Sequence, residues 1–112
     1  MLTIAEAAEQ SGLSPHTLRY YERAGLLETD RAANGHRNYT DESLERLRFV
    51  RFMRATGMPV RDVRRYFAAD TAGRVEILET HRRHITALMD EMQASLALID
   101  YKLDYYAKGA PK

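Results

Sequence analysis

Residues 3–27 read "TIAEAAEQSGLSPHTLRYYERAGLL", two short helical phrases separated by a glycine turn. Thr3 followed by Glu6 is a capping box, in which the threonine hydroxyl and the glutamate carboxylate each satisfy a backbone N–H at the helix start. This box opens a first helix over "IAEAAEQS", with Ile4, Ala7 and Ala8 as its apolar stripe and Gly12 as its stop. Ser14-Pro15 opens a second helix, with a hydroxyl at the cap and a proline at the first helical position. Leu18 and Tyr21 are spaced to face a core, and Gly25 closes the helix. Two short helices joined by a three- or four-residue turn containing glycine form a helix-turn-helix, whose second helix normally enters the major groove of DNA. The run Arg19-Tyr20-Tyr21 makes this second helix more than an ordinary solvated surface.

Downstream, "LLETDRAANGHRNYT" has no helical period, and its Asn34-Gly35 pair is a hairpin signal, because both central residues of a type I′ turn need positive φ. The flanks, Leu27 to Arg31 and His36 to Tyr39, are short and polar and predict a small ribbon rather than a buried sheet. Thr40 caps a third helix to about Thr56, with Asp41 and Glu42 at the positive end of its dipole and Gly57 at its stop. Leu44, Leu47 and Val50 form one apolar stripe of this helix, and Phe49, Phe52 and Met53 another. One stripe suffices to pack a helix on its own domain, so two imply a second partner. Pro59 opens a short fourth helix, "VRDVRRYFA", broken at Asp70 to Gly73.

From about Ala72 to Ala107 a single helix is expected, about 54 Å long at about 1.5 Å per residue. Val75, Leu78, Ile85, Met89, Met92, Leu96, Ile99, Leu103 and Tyr106 recur alternately three and four apart, with Arg82 as one polar interruption. That is a heptad seam, and a domain of this size cannot cover so long a helix, so a homodimer is expected. A helix folding back on its own N-terminal half is the alternative.

The composition is that of one globular domain: 112 residues, 45% hydrophobic, net charge +1. Residues 13–66 hold eleven arginines, seven acids and no lysine, whereas residues 71–112 hold six basic and six acidic groups. Arginine suits bidentate phosphate and base contacts better than lysine does. Zero cysteines exclude disulfides, zinc-thiolate sites and thiol redox chemistry. No apolar run reaches the roughly 20 residues of a membrane span, and the N-terminus carries acidic residues and no basic leader, so a cytoplasmic protein without membrane association is expected.

Taken together, "LRYYERAGLL", "NGHRNYT", "GMPVRDVRRYF" and the single terminal heptad helix resemble the MerR family of transcriptional regulators along the whole chain. The terminal "LALIDYKLDYY" is similar to the small, aldehyde- and stress-responsive branch. The resemblance implies a mainly α fold: a winged helix-turn-helix with a small β-hairpin wing over residues 1–70, then a coiled-coil dimerisation helix over 71–108. It also implies an antiparallel coil between two subunits and a pseudo-palindromic double-stranded promoter as partner. Family members untwist and bend an overlong promoter spacer so that RNA polymerase engages both its elements, which is regulation by DNA deformation.

On that reading Ser14, His16, Thr17, Arg19 and Tyr20 are the DNA contacts of the second helix. Arg19 pairs with a phosphate, Tyr20 donates its hydroxyl to one, and Tyr21 packs inward. His16 and Thr17, nearest the helix N-terminus, reach base edges. Arg37 and Tyr39 match the family's backbone-contacting pair and, two apart, share a strand face. Arg31 is a further phosphate contact.

His81 and His84, three apart on the long helix, invite a metal reading, but no nearby carboxylate or cysteine completes a site, and neither metal nor cofactor is expected. Some aldehyde-responsive relatives carry a helix-3 cysteine; here the region reads "RFVRFMRATG", with Phe52 about where that thiol would lie. No ligand domain is expected after the coil. A small ligand would have to bind near Phe49, Phe52, Met53 and Tyr101 to Tyr106, residues that core packing explains equally well. An enzyme is not expected, for want of a nucleophile–base set or a phosphate-binding glycine loop. A DNA-architectural or excisionase-type protein shares the winged helix but usually lacks the long helix. A coiled-coil adaptor would not need the Arg37–Tyr39 pair.

Overall fold

The computed structural model describes residues 2–27, 30–31 and 37–109, and these are mainly helical. The order is α1 (Ile4–Ser11), α2 (Pro15–Arg23), β1 (Asp30–Arg31), β2 (Arg37–Asn38), α3 (Asp41–Ala55), α4 (Val60–Ala68) and α5 (Thr71–Ala107). The chain divides into two compact units, residues 1–74 and 75–112.

Local chemistry sets nearly every helix end. The Thr3–Glu6 capping box forms in both directions, and Gly12 ends α1 at φ 74°, a left-handed conformation that a Cβ disfavours. Ser14 Oγ accepts from the Thr17 N–H, and Pro15 follows it, so α2 starts where the cap dictates. Thr40 Oγ1 accepts from the Ser43 N–H to open α3, and Gly57, at φ 96°, follows its end. Asp70 caps α5 by accepting from the Gly73 N–H at 2.9 Å.

The core of the first unit gathers Ala7, Leu18, Tyr21, Leu26, Leu27, Tyr39, Leu47, Val50, Met58 and Val63. Each fully buried leucine among them contributes about 1.5–3 kcal/mol relative to an exposed one. Strands β1 and β2 pair antiparallel, Asp30 opposite Asn38 and Arg31 opposite Arg37. The expected Asn34-Gly35 turn and His36 lie outside the described residues. The flanks are not wholly polar, contrary to the sequence reading: Leu27 and Tyr39 are core residues. Tyr39 also exchanges two backbone hydrogen bonds with Leu2, at 2.9 and 2.7 Å, tying the N-terminus to the end of the ribbon.

The two stripes of α3 have different fates. Leu47 and Val50 are buried. Phe49 stacks on Tyr66 of α4, with ring centroids 4.5 Å apart, and meets Phe67 edge-on at 5.8 Å. The second stripe is therefore partly satisfied within its own unit, and only Phe52, half exposed, keeps the character expected of a second contact.

In the second unit the heptad residues of α5 form one exposed row, from Leu78 at 37% to Met92 at 66% accessible, with Ile85 half-buried. No helix among the described residues is long and apolar enough to cross a membrane.

Candidate nucleic-acid interface

Helix α2 sorts its side chains by face. Leu18 is fully buried and Tyr21 nearly so, which anchors the helix in the core of its unit, where it packs on α1. His16, Arg19 and Tyr20 are exposed on the other side. The adjacent rings of Tyr20 and Tyr21 lie 5.8 Å apart, tilted by 46°, so one tyrosine braces the other while pointing away from the core. Ser14 and Thr17 are joined through their hydroxyls at 3.0 Å and act first as the helix cap, with Thr17 half-buried. An exposed helix N-terminus with aromatic and guanidinium groups beside it can bind phosphate and reach base edges.

The ribbon places Arg31 and Arg37 directly across from one another in register. Tyr39 requires a correction. It was expected on the DNA-facing surface with Arg37, but its side chain is fully buried. Its bridge to Leu2 turns the residue into the core just where the ribbon ends, and alternation along a strand does not continue through that change of partner. Tyr39 is a packing residue in this structure.

The arginine surplus also has a second cause that composition does not reveal. Arg46 Nε donates to the Leu26 carbonyl at 3.0 Å, Arg51 Nη1 to the Ser11 carbonyl at 3.0 Å, and Arg54 Nη1 to the Met58 carbonyl at 3.0 Å. Arg64 Nη1 reaches the Ala24 carbonyl at 3.4 Å. These carbonyls sit at or just beyond helix ends, where acceptors lack intrahelical partners. Arg46 in addition lays its guanidinium 3.7 Å from the Phe67 ring centroid. Four of the eleven arginines in residues 13–66 thus bind the protein's own backbone. The local sequence around these arginines carries no signal that identifies a carbonyl partner.

The histidine pair on α5 is real as a contact, with ring centroids 5.7 Å apart. Burial, then the neighbouring His84 charge, lowers the His81 pKa below its usual 6.5. Among the described residues no group of three or more His, Cys, Asp or Glu side chains could hold a metal ion. A shallow cleft between α1 and α3 is lined by Gln10, Ser11, Leu44, Glu45, Arg48, Arg51 and Phe52.

Comparison with known proteins agrees with this geometry. Residues 2–70 match the MerR HTH family regulatory protein model, and residues 44–100 match a second model described as MerR, DNA binding. An uncharacterised HTH-type transcriptional regulator of Haemophilus influenzae is 33% identical over 95% of this chain and 84% of its own length. A crystal structure of a Listeria monocytogenes protein assigned to the MerR family superposes with a TM-score of 0.89 at 35% identity, covering 96% of this chain and 86% of the other. The crystal structure of HiNmlR, a MerR family regulator lacking the sensor domain and bound to promoter DNA, superposes with a TM-score of 0.85 at 33% identity, covering 95% of this chain and 90% of the other. With its helix-turn-helix, its exposed α2 face and its long terminal helix matched along almost its full length, the chain belongs to the MerR family of HTH transcriptional regulators.

Proposed function

We propose that the chain works as a homodimer on a two-fold-symmetric promoter, with residues 1–70 binding DNA and residues 71–108 joining the subunits. The observation that carries this reading is the division of α2, which buries Leu18 and Tyr21 and exposes His16, Arg19 and Tyr20. His16 and Thr17 read base edges, while Arg19 and Tyr20 bind phosphate, with Ser14 holding the helix start toward the backbone. The ribbon acts as a β-hairpin wing, and Arg31 and Arg37 give it two backbone-binding cations per subunit. Binding untwists and bends the spacer so that RNA polymerase engages both promoter elements. The specificity is then partly a deformation energy. The protein is not an enzyme, requires no cofactor, and acts in the cytoplasm where the promoter is.

Eight exposed seam residues, together with half-buried Ile85, support the dimer, because an apolar row along a helix is stabilised only when another surface covers it. The test is to sequence the DNA that co-purifies with the protein and to measure binding to the recovered site. An enriched inverted repeat, bound with anomalous gel migration that reports bending, is the expected result. Recovery of random fragments would overturn the reading in favour of a non-specific architectural protein.

A further inference from the structure

We propose that Arg82 fixes the orientation in which two copies of α5 pair, selecting the antiparallel arrangement against the parallel one. This rests on the reading of α5 as the dimerisation helix. The seam spacing of three and four residues reads the same in both directions about the midpoint between Met89 and Met92. A second copy running the opposite way, in full overlap, therefore sets Val75 against Tyr106, Leu78 against Leu103, Arg82 against Ile99, Ile85 against Leu96 and Met89 against Met92. Spacing alone does not choose between orientations, because a parallel pair in register also matches every apolar position with an apolar one. Arg82 is the exception in the seam, and it is exposed in the single chain.

In a parallel pair the two Arg82 side chains meet in the same layer. Two like charges about 6 Å apart at an effective dielectric constant of about 20 disfavour that arrangement roughly hundredfold. In the antiparallel pair each Arg82 faces the second copy's Ile99 instead, and its aliphatic stem covers that apolar layer while the guanidinium reaches the edge. Two acids stand at that edge: Glu79, one turn earlier on the same helix, and the second copy's Asp100, beside Ile99. Without a cation between them, these two carboxylates would repel each other in the antiparallel pair. Arg82 therefore acts twice, by excluding the parallel layer and by neutralising the acid pair of the antiparallel one. The other flank does not make the choice, since His81 there comes opposite the second copy's Lys102 and offers no attraction. A single polar residue at a core position is a known way to specify how helices pair, at some expense in stability.

The absence of cysteine from the chain makes the test direct, because any introduced thiol reports alone. Leu78→Cys and Leu103→Cys are made as separate chains, one with a size tag, then mixed, refolded and oxidised. With Arg82 present, the mixed disulfide should form, and Leu78→Cys alone should give almost no covalent dimer. In an Arg82→Leu background, the Leu78→Cys homodimer should rise at least about tenfold, as part of the roughly hundredfold preference is lost. Arg82→Lys keeps the charge and should restore the original pattern. An Arg82→Leu protein that is still dimeric and still forms only the mixed disulfide overturns the role of Arg82 while leaving the dimer intact. A wild-type chain that light scattering finds monomeric at micromolar concentration overturns the dimer reading, and this proposal with it.

Discussion

Replacing Arg46 with alanine should destabilise the protein without weakening its electrostatic hold on DNA, because Arg46 binds the protein rather than a phosphate. Its Nε–H donates to the Leu26 carbonyl at 3.0 Å, and its guanidinium lies 3.7 Å from the Phe67 ring centroid. A hydrogen bond from a charged donor contributes about 1.5–3 kcal/mol, and a guanidinium over an aromatic ring about 0.5–2 kcal/mol. The two terms share one side chain and are not independent, so a combined loss of about 2–4 kcal/mol is expected. At an m-value of about 2 kcal/mol per molar urea, the unfolding midpoint should fall by about 1–2 M. Arg46→Lys should recover only part of this, since an ammonium keeps the charge but not the planar fork that serves carbonyl and ring together. Urea titrations must use one protein concentration, because dimerisation adds to apparent stability. The companion measurement is the salt dependence of binding to the recovered site at a temperature where the variant is folded. An unchanged midpoint with a shallower salt slope would refute the reasoning and place Arg46 among the DNA contacts.

Arg37→Ala should do the reverse, weakening binding about equally on all sequences and making the salt slope shallower by roughly one unit per subunit, with little change in the urea midpoint. Changing Ile99 and Leu103 together to aspartate places four charges in the seam of a dimer, and light scattering should then report monomers at micromolar concentration. Tyr39→Phe should leave DNA affinity and its salt slope unaltered, whereas Tyr39→Ala should destabilise by about 3–5 kcal/mol, as expected for emptying a buried ring site. His81 has a lowered folded-state pKa, so the unfolded chain takes up its proton first as pH falls. Stability should therefore decline as pH drops through about 6.5 and level off below the folded-state value, and His81→Gln should flatten this decline in thermal melts across that range.

The helix boundaries were legible in the residues because they are decided locally. Thr3, Ser14 and Thr40 each carry a short side chain that can satisfy an N–H three residues on, and Gly12 and Gly57 tolerate the positive φ that ends a helix. The inward faces of Leu18 and Tyr21 followed from helical period, and the apolar row of α5 from its heptad spacing, interrupted once at Arg82. Tyr39 could not be read this way. Its burial depends on a backbone bridge to Leu2, 37 positions away in the chain, and no pattern within the ribbon announces a partner at that distance. The carbonyl partners of Arg51 and Arg64 could not be read for the same reason. Charge counting treats each guanidinium as available to a ligand, but Arg51 meets Ser11 and Arg64 meets Ala24 across 40 residues, only once the helices have packed. Caps, stops and periodicity are properties of a few neighbouring residues, so the sequence alone determined them. Whether a cation faces a phosphate or a carbonyl depends on which helix end lies beside it, and only the tertiary structure decided that.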